Sequence, residues 1–186
     1  MTKDPGLAPE TDHAPSHHEP ADRRALLTLW GVAGAVTVLD QLTKVWAVAA
    51  LADGHRVEVL GSLLSFRLVR NSGAAFSFAT GMTWVFTLVA VVVAVVVVRV
   101  SRRLASMPWA ITLGLILGGA VGNLVDRLVR DPGVARGHVV DFIDYGGQFV
   151  GNVADIAIVL AAAAVVVLSL LGREVTGATA EQGTER

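Results

Sequence analysis

Asp141 and Asp155 lie fourteen residues apart in the sequence, and neither has an obvious basic partner in its own segment. Two carboxylates forced close together cannot both ionise easily and come to share a proton, so one can take a proton from water while the other donates one to a carbonyl. That arrangement suits hydrolysis of an amide without a metal or a covalent intermediate. Spacing alone leaves two blander roles open: Asp155 as a cap on the helix that follows it, and Asp141 as a loop-turn residue. Other polar residues stand where apolar sequence surrounds them. Asp40 and Lys44 are four apart, the spacing at which opposite charges meet on a helix, so Lys44 reads as half of a pair that locks its helix. Asn123, Asp126 and Arg127 fall at i, i+3 and i+4 and share a face, with Arg127 expected to hold Asp126 by a two-pronged hydrogen bond. Asn152 and Asp155, three apart, share a face as well.

The absence of cysteine excludes a thiolate nucleophile, a thiolate zinc site and a disulfide framework. His13, His17 and His18 lie in a polar, acidic stretch and read as solvated residues rather than metal ligands. No metal or cofactor is expected. A net charge of -1, with basic residues scattered rather than striped, offers no footprint for nucleic acid.

The elements that must position these residues are read from hydropathy. Apolar residues make up 53% of the 186 and charged residues 17%, against a usual charged share of roughly a quarter. Eight of the charged residues fall within the first 24 positions, so the remainder is more apolar still. Crossing a bilayer takes about 20 predominantly apolar residues. Four stretches qualify: Ala25 to Ala52, about Gly81 to Val98, about Met107 to Val125, and about Val153 to Gly172. The second is dominated by valine, which favours strand in water; in lipid an open strand leaves its backbone unpaired, so a helix is expected. Gly114, Gly118 and Gly122 form two overlapping GxxxG patterns, equally compatible with a close helix–helix seam and with chance in a glycine-rich span. Between the first two spans, Arg56 to Leu60 and Leu63 to Arg70 read as β-prone runs of a small surface sheet. The loop from Arg127 to Gly151 carries turn signals at Asp131-Pro132-Gly133 and Gly146-Gly147.

Four alternating spans bring the end of the first, the start of the second, the end of the third and the start of the fourth to one side of the membrane. Asp40, Asn71, Asn123, Asp126, Arg127, Asp141, Asn152 and Asp155 all belong to that side. Arg99, Arg102 and Arg103 in the short loop between the second and third spans, with Arg23 and Arg24, assign the opposite side to the cytoplasm. Arg56, Arg67, Arg70, Arg130 and Arg136 run against that bias. Residues 1–24 and 173–186 are expected to be disordered cytoplasmic tails flanking a four-helix transmembrane domain over residues 25–172, with a β-rich extracytoplasmic loop at about 53–80. About two dozen polar residues precede the first apolar stretch, so no cleaved secretory signal is expected.

Five segments resemble those of a known family, the bacterial lipoprotein signal peptidases (signal peptidase II). Asp40-Gln41-Leu42-Thr43-Lys44 resembles the family's DQxxK segment, and Asn71-Ser72-Gly73-Ala74-Ala75-Phe76 its NxGAAF segment. The run from Gly118 to Arg127 is similar to GGAxGNxxDR, Val139 to Ile143 to VxDFI, and Asn152-Val153-Ala154-Asp155 to NxAD. The resemblance implies an α-helical integral membrane protein of four transmembrane helices with a small extracytoplasmic sheet, acting as a membrane-embedded aspartic endopeptidase in the bacterial cytoplasmic membrane. Its substrates would be prolipoproteins already carrying diacylglyceryl on the lipobox cysteine, cut on the amino side of that cysteine. By motif, Asp141 and Asp155 would be the catalytic pair. Asn71, Asn123, Arg127 and Asn152 would line the site and position substrate, and Asp40, Lys44 and Asp126 would support it. A monomer is expected, because one chain supplies the whole site, with membrane lipid and prolipoprotein as its partners. One departure stands out: the family usually places Phe directly before the Asn of NxAD, whereas here Val150 and Gly151 separate Phe149 from Asn152.

Two other functions use similar residues. Intramembrane carboxylates serve as relays in proton-coupled transporters, which generally carry internal repeats and midplane sites; here the carboxylates crowd one end and no repeat is evident. A structural subunit whose polar pairs only lock helices would tolerate Asp141→Asn, which an aspartic peptidase would not.

Overall fold

The computed structural model describes residues 21–73 and 83–176. Ala74 to Phe76 of the NxGAAF segment, the start of the second span at Gly81, and the three histidines of the N-terminal stretch lie outside the described residues. Among the described residues eight elements follow one another: α1 (Arg23–Ala50), β1 (Val57–Leu60), β2 (Leu64–Asn71), α2 (Thr83–Ser101), α3 (Met107–Val129), β3 (Val139–Tyr145), β4 (Phe149–Gly151) and α4 (Val153–Leu170). All four helices are long and apolar enough to cross a membrane. The valine run of α2 is helical, as the cost of unpaired backbone in lipid requires.

The bundle is built on α3, which packs against each of the other three helices. Glycine makes this possible. A Cβ at Gly114 would lie 2.8 Å from the Leu29 carbonyl oxygen, and one at Gly118 2.8 Å from that of Ala33, so the seam of the GxxxG pattern faces α1. Gly119 faces the other way, toward the Ala154 carbonyl and Ile158 of α4. Thr37 Oγ1 donates to the Gly118 carbonyl at 3.2 Å across the seam. The outer surface is apolar: Leu27, Leu42, Val92, Val96, Val159 and Val167 are all exposed. Such a belt in water would be a liability, and in lipid it is the solvated face.

At one end of the bundle, the Asp22 N–H donates to Leu104 O at 2.8 Å, and Ala105 and Ser106 N–H both donate to Val175 O. Trp109 Nε1 donates to Arg173 O at 2.8 Å. The first residues of the expected C-terminal tail, Arg173 to Val175, are thus tied to the α2–α3 connection. The opposite end carries an antiparallel sheet in the order β1-β2-β3-β4. Sequence reading expects this sheet from residues 56–70, and the loop over 127–151 supplies two of its four strands. Val139, Val140 and Ile143 are the β-branched residues that favour it. Phe66 pairs with Ile143 and Val69 with Asp141, so Arg67 and Leu68 bulge opposite the single Phe142. Trp46 of α1 meets Phe66 and Phe142 edge-on, at ring separations of 5.5 and 6.0 Å, and anchors the sheet to the helix end. Asp144, buried beneath the β3–β4 turn, accepts from the Gly147 N–H at 2.7 Å and pairs with Arg67.

Candidate active site

The polar residues of the four spans meet where α1, α3, α4 and the sheet converge. Asp40 lies about 25 Å along α1 from its start, taking 1.5 Å per residue. The close approach at Gly122, where a Cβ would fall 2.7 Å from Asp40 Oδ2, lets that carboxylate enter between the helices. Lys44 Nζ then sits between Asp40 at 2.8 Å and Asp126 at 2.9 Å, all three fully buried. The pairing expected of Lys44 with Asp40 is present, and Asp126 adds a second anion. Asp40 Oδ1 also accepts the Ala154 N–H at 3.0 Å, which ties α1 to the first turn of α4.

Arg127 does not hold Asp126, contrary to the sequence expectation. Successive residues on a helix point about 100° apart, so an i, i+1 pair does not face. Arg130, one turn on, donates to Asp126 Oδ1 from Nε at 2.7 Å, and the Val140 N–H donates to Oδ2 at 3.1 Å. The i, i+4 spacing of Asp126 and Arg130 was the available signal. Gln41, inside the DQxxK segment but assigned no role there, donates from Nε2 to Asp40 Oδ2 and to the Gly122 carbonyl.

Above this charged base lies a chain of amides. Lys44 Nζ donates to Asn123 Oδ1 at 2.9 Å, which turns the Asn123 amide so that Nδ2 donates to Asp155 Oδ1, also at 2.9 Å. Asn152 Nδ2 donates to Asp141 Oδ1 at 2.7 Å and to Asn123 Oδ1 at 3.2 Å. Asn71 Nδ2 donates to the other oxygen, Asp141 Oδ2, at 2.8 Å. The two carboxylates are therefore joined through Asn152 and Asn123. Asn71 and Asp141 come together because β2 pairs with β3 in the register Val69 to Asp141 and Asn71 to Val139.

Asp155 also has the capping position weighed from the sequence. Asn152 is the N-cap of α4 and accepts the Asp155 N–H at 3.0 Å, while Asp155 Oδ2 accepts the Asn152 N–H at 3.1 Å. The cap fixes the carboxylate and leaves Oδ1 aimed at Asn123. Asp141 is a strand residue, not a turn residue, and it is 2% exposed. Burial pushes its carboxyl up to about 6 against the donors Asn71 and Asn152, and the charge of Asp155 pushes the same way.

Among the described residues, two apolar clefts reach this cluster, one on each side of α4. The first, about 360 Å³, is lined by Tyr145, Phe149, Gly151, Asn152, Asp155 and Ile156. Phe149 stacks on Tyr145 at 6.0 Å, and Gly151 makes room for it: a Cβ there would lie 2.7 Å from Phe149 Cε1 and 3.1 Å from Asp155 Oδ2. Although displaced in sequence, Phe149 still borders Asp155. The second cleft, about 420 Å³, runs between α2, α3 and α4, with Asn123 and Arg127 at its polar end and Val89, Ile116 and Ile158 along its walls. All nine residues singled out from the sequence lie in or beside this cluster.

The chain matches the family described as "Signal peptidase (SPase) II" over residues 32–171. It is 51% identical over 159 residues to the "Lipoprotein signal peptidase" of Rhodococcus jostii, covering 86% of this chain and 80% of that one. It is 51% identical over 163 residues to the protein of the same name from Mycobacterium tuberculosis, covering 88% of this chain and 81% of that one. Among solved structures, a bacterial membrane enzyme determined by the in meso method aligns with a TM-score of 0.68 at 25% identity, over 86% of this chain and 93% of that one. A second such structure aligns at 0.70 with 24% identity, covering 82% and 97%, and shares the fold.

Proposed function

This chain belongs to the signal peptidase II family and removes signal peptides from prolipoproteins, and we propose that it does so as an aspartic endopeptidase whose catalytic pair is Asp141 and Asp155. The observation that carries the assignment is the relay of Asn152 and Asn123, which joins two carboxylates from different elements at one end of the bundle. Buried Asp141, with its raised affinity for a proton, is the acid. Asp155, half-buried and open to the first cleft, is the base. Asp155 takes a proton from water as the water oxygen attacks the scissile carbonyl, and Asp141 gives its proton to the carbonyl oxygen. The tetrahedral diol then collapses, the C–N bond breaks, and a proton passes to the departing amine. Substrate covering the cleft excludes water and strengthens the hold of Asp141 on its proton.

Asn71, Asn123, Arg127 and Asn152 hold the substrate backbone, while Asp40, Lys44 and Asp126 keep the helices in register beneath them. The scissile bond is the one on the amino side of a diacylglyceryl-modified cysteine, and the apolar clefts beside α4 are open to the acyl chains and the signal helix. The arginines at the α2–α3 connection support a cytoplasmic location for that end of the bundle, with residues 1–24 and 173–186 on the same side. The site then lies at the extracytoplasmic face of the bacterial cytoplasmic membrane, in a domain over residues 25–172 that works as a monomer.

The test is cleavage of a diacylglyceryl-modified prolipoprotein by the purified protein, read by mass spectrometry beside Asp141→Asn, Asp155→Asn, a chelator and an unlipidated substrate. Cutting before the lipidated cysteine, indifferent to chelator and absent in both variants, is the expected result. Substantial residual cutting by either correctly inserted variant removes that residue from the pair.

A further inference from the structure

Arg127 is a buried cation with an unusual set of neighbours. It is 8% exposed, and among the described residues it forms no ion pair and its Nη1 is buried without a hydrogen-bond partner. A long arginine so desolvated would normally swing its head to water or collapse onto a carboxylate. Asp126 is not available to it, being saturated by Lys44, Arg130 and the Val140 N–H. What faces the guanidinium is the ring of Phe86, with the Arg127 Cζ 5.2 Å from its centroid. The negative face of an aromatic ring attracts a cation most strongly where water is excluded.

Phe86 is itself held firmly. Thr83, Phe86 and Thr87 stand at i, i+3 and i+4 on the first turns of α2, on one face. Thr83 Oγ1 donates to Ser72 O at 3.0 Å and Thr87 Oγ1 to Ala135 O at 2.8 Å, so this face is clamped to the strand end and to the α3–β3 loop. The ring edge fills the space that a Cβ at Gly73, with φ at +93°, would occupy. The Arg127 carbonyl accepts the Gly137 N–H at 3.0 Å from the same loop.

We propose that Phe86 is a positioning residue for the peptidase reaction, its ring holding the Arg127 guanidinium by a cation–π contact at the mouth of the α2–α3–α4 cleft so that Nη1 stays free for substrate. Without that platform the guanidinium falls toward Asp141 and Asp155, where it both leaves the substrate and neutralises the pair. The inference rests on the reading of Arg127 as a substrate-binding group.

The test is a series at position 86 in the full-length protein: phenylalanine with one, three and five ring fluorines, which keeps shape while draining and then reversing the charge on the ring face, together with Phe86→Leu and Phe86→Tyr. KM and kcat are measured on a diacylglyceryl-modified prolipoprotein, and thermal unfolding in detergent reports folding. KM is expected to rise stepwise with fluorination to about tenfold and kcat to fall alongside it, at constant unfolding temperature, with Phe86→Leu near the end of the series and Phe86→Tyr near wild type. A flat response to fluorination overturns the proposal and leaves Phe86 as an apolar wall, whatever Phe86→Leu does. Arg127→Gln separates the two levels: unchanged KM and kcat in that variant overturn the substrate-binding reading of Arg127 and the proposal with it. A loss there combined with a flat fluorine series overturns the proposal alone.

Discussion

Lys44 Nζ donates to Asn123 Oδ1 at 2.9 Å, and that bond decides which end of the Asn123 amide meets Asp155. An ammonium can only donate, so the amide oxygen must face it and the amide nitrogen must face the carboxylate. A residue of α1 thereby sets the hydrogen bonding of a residue of α4 through α3.

Replacing Lys44 with Met removes the cation between Asp40 and Asp126 and leaves two buried carboxylates facing each other. Destabilisation of about 3 to 5 kcal/mol is expected, the usual cost of breaking a buried pair. Cleavage should fall further than the folded fraction does, because Asn123 loses its orienting donor. Thermal unfolding in detergent, with activity normalised to folded protein, checks both statements; activity that tracks the folded fraction alone would remove the orienting role.

The glycine seam predicts opposite outcomes for two glycine substitutions. A Cβ at Gly118 would lie 2.8 Å from the Ala33 backbone oxygen, which cannot turn aside as a side chain can. Gly118→Ala should therefore separate α1 from α3 and cost about 1 to 3 kcal/mol. Gly34 has nothing within 4 Å of such a Cβ, so Gly34→Ala should be neutral or stabilising by up to about 1 kcal/mol through helix propensity. Equal effects at the two positions would contradict the seam.

Stability should fall as pH rises through the range set by Asp141. Its folded carboxyl titrates at about 6, raised from an ordinary 3.8 by burial. Between those values the unfolded chain gives up the proton while the folded chain keeps it, so folding is progressively disfavoured, by about 3 kcal/mol in all at 1.36 kcal/mol per pH unit. Below 3.8 the contribution is fully present, and above 6 it is gone. Asp141→Asn removes this slope but leaves one Asn donor facing an amide N–H, a cost independent of pH. The difference in unfolding temperature between wild type and variant should thus shift in favour of the variant from pH 4 to 7; a constant difference would show that Asp141 is not buried as described.

The four spans and the end at which their polar residues gather were legible in the sequence, because both follow from short-range physics. A stretch of apolar residues in lipid must be helical to satisfy its own backbone, and alternating spans sort their ends without any knowledge of packing. The pairing of Asp40 with Lys44 was legible for the same reason, since four residues of helix bring them together. The second cation on Asp126 was not: helix spacing favours Arg130 over Arg127, but Lys44 reaches Asp126 only because the glycine seam presses that side of α3 against α1. Nor was the source of β3 and β4, whose strand character depends on β2 being within reach to complete their hydrogen bonds. That Asp141 and Asp155 are joined through Asn152 and Asn123 is likewise tertiary. Asp141 arrives on a strand registered against β2, Asp155 on a capped helix, and only the docking of sheet on bundle brings the two into one buried, hydrogen-bonded network. Sequence periodicity determines what each segment must be, because it acts over a few residues. Contacts between residues dozens of positions apart depend on shape and on competition for donors, and those are decided only when the helices close.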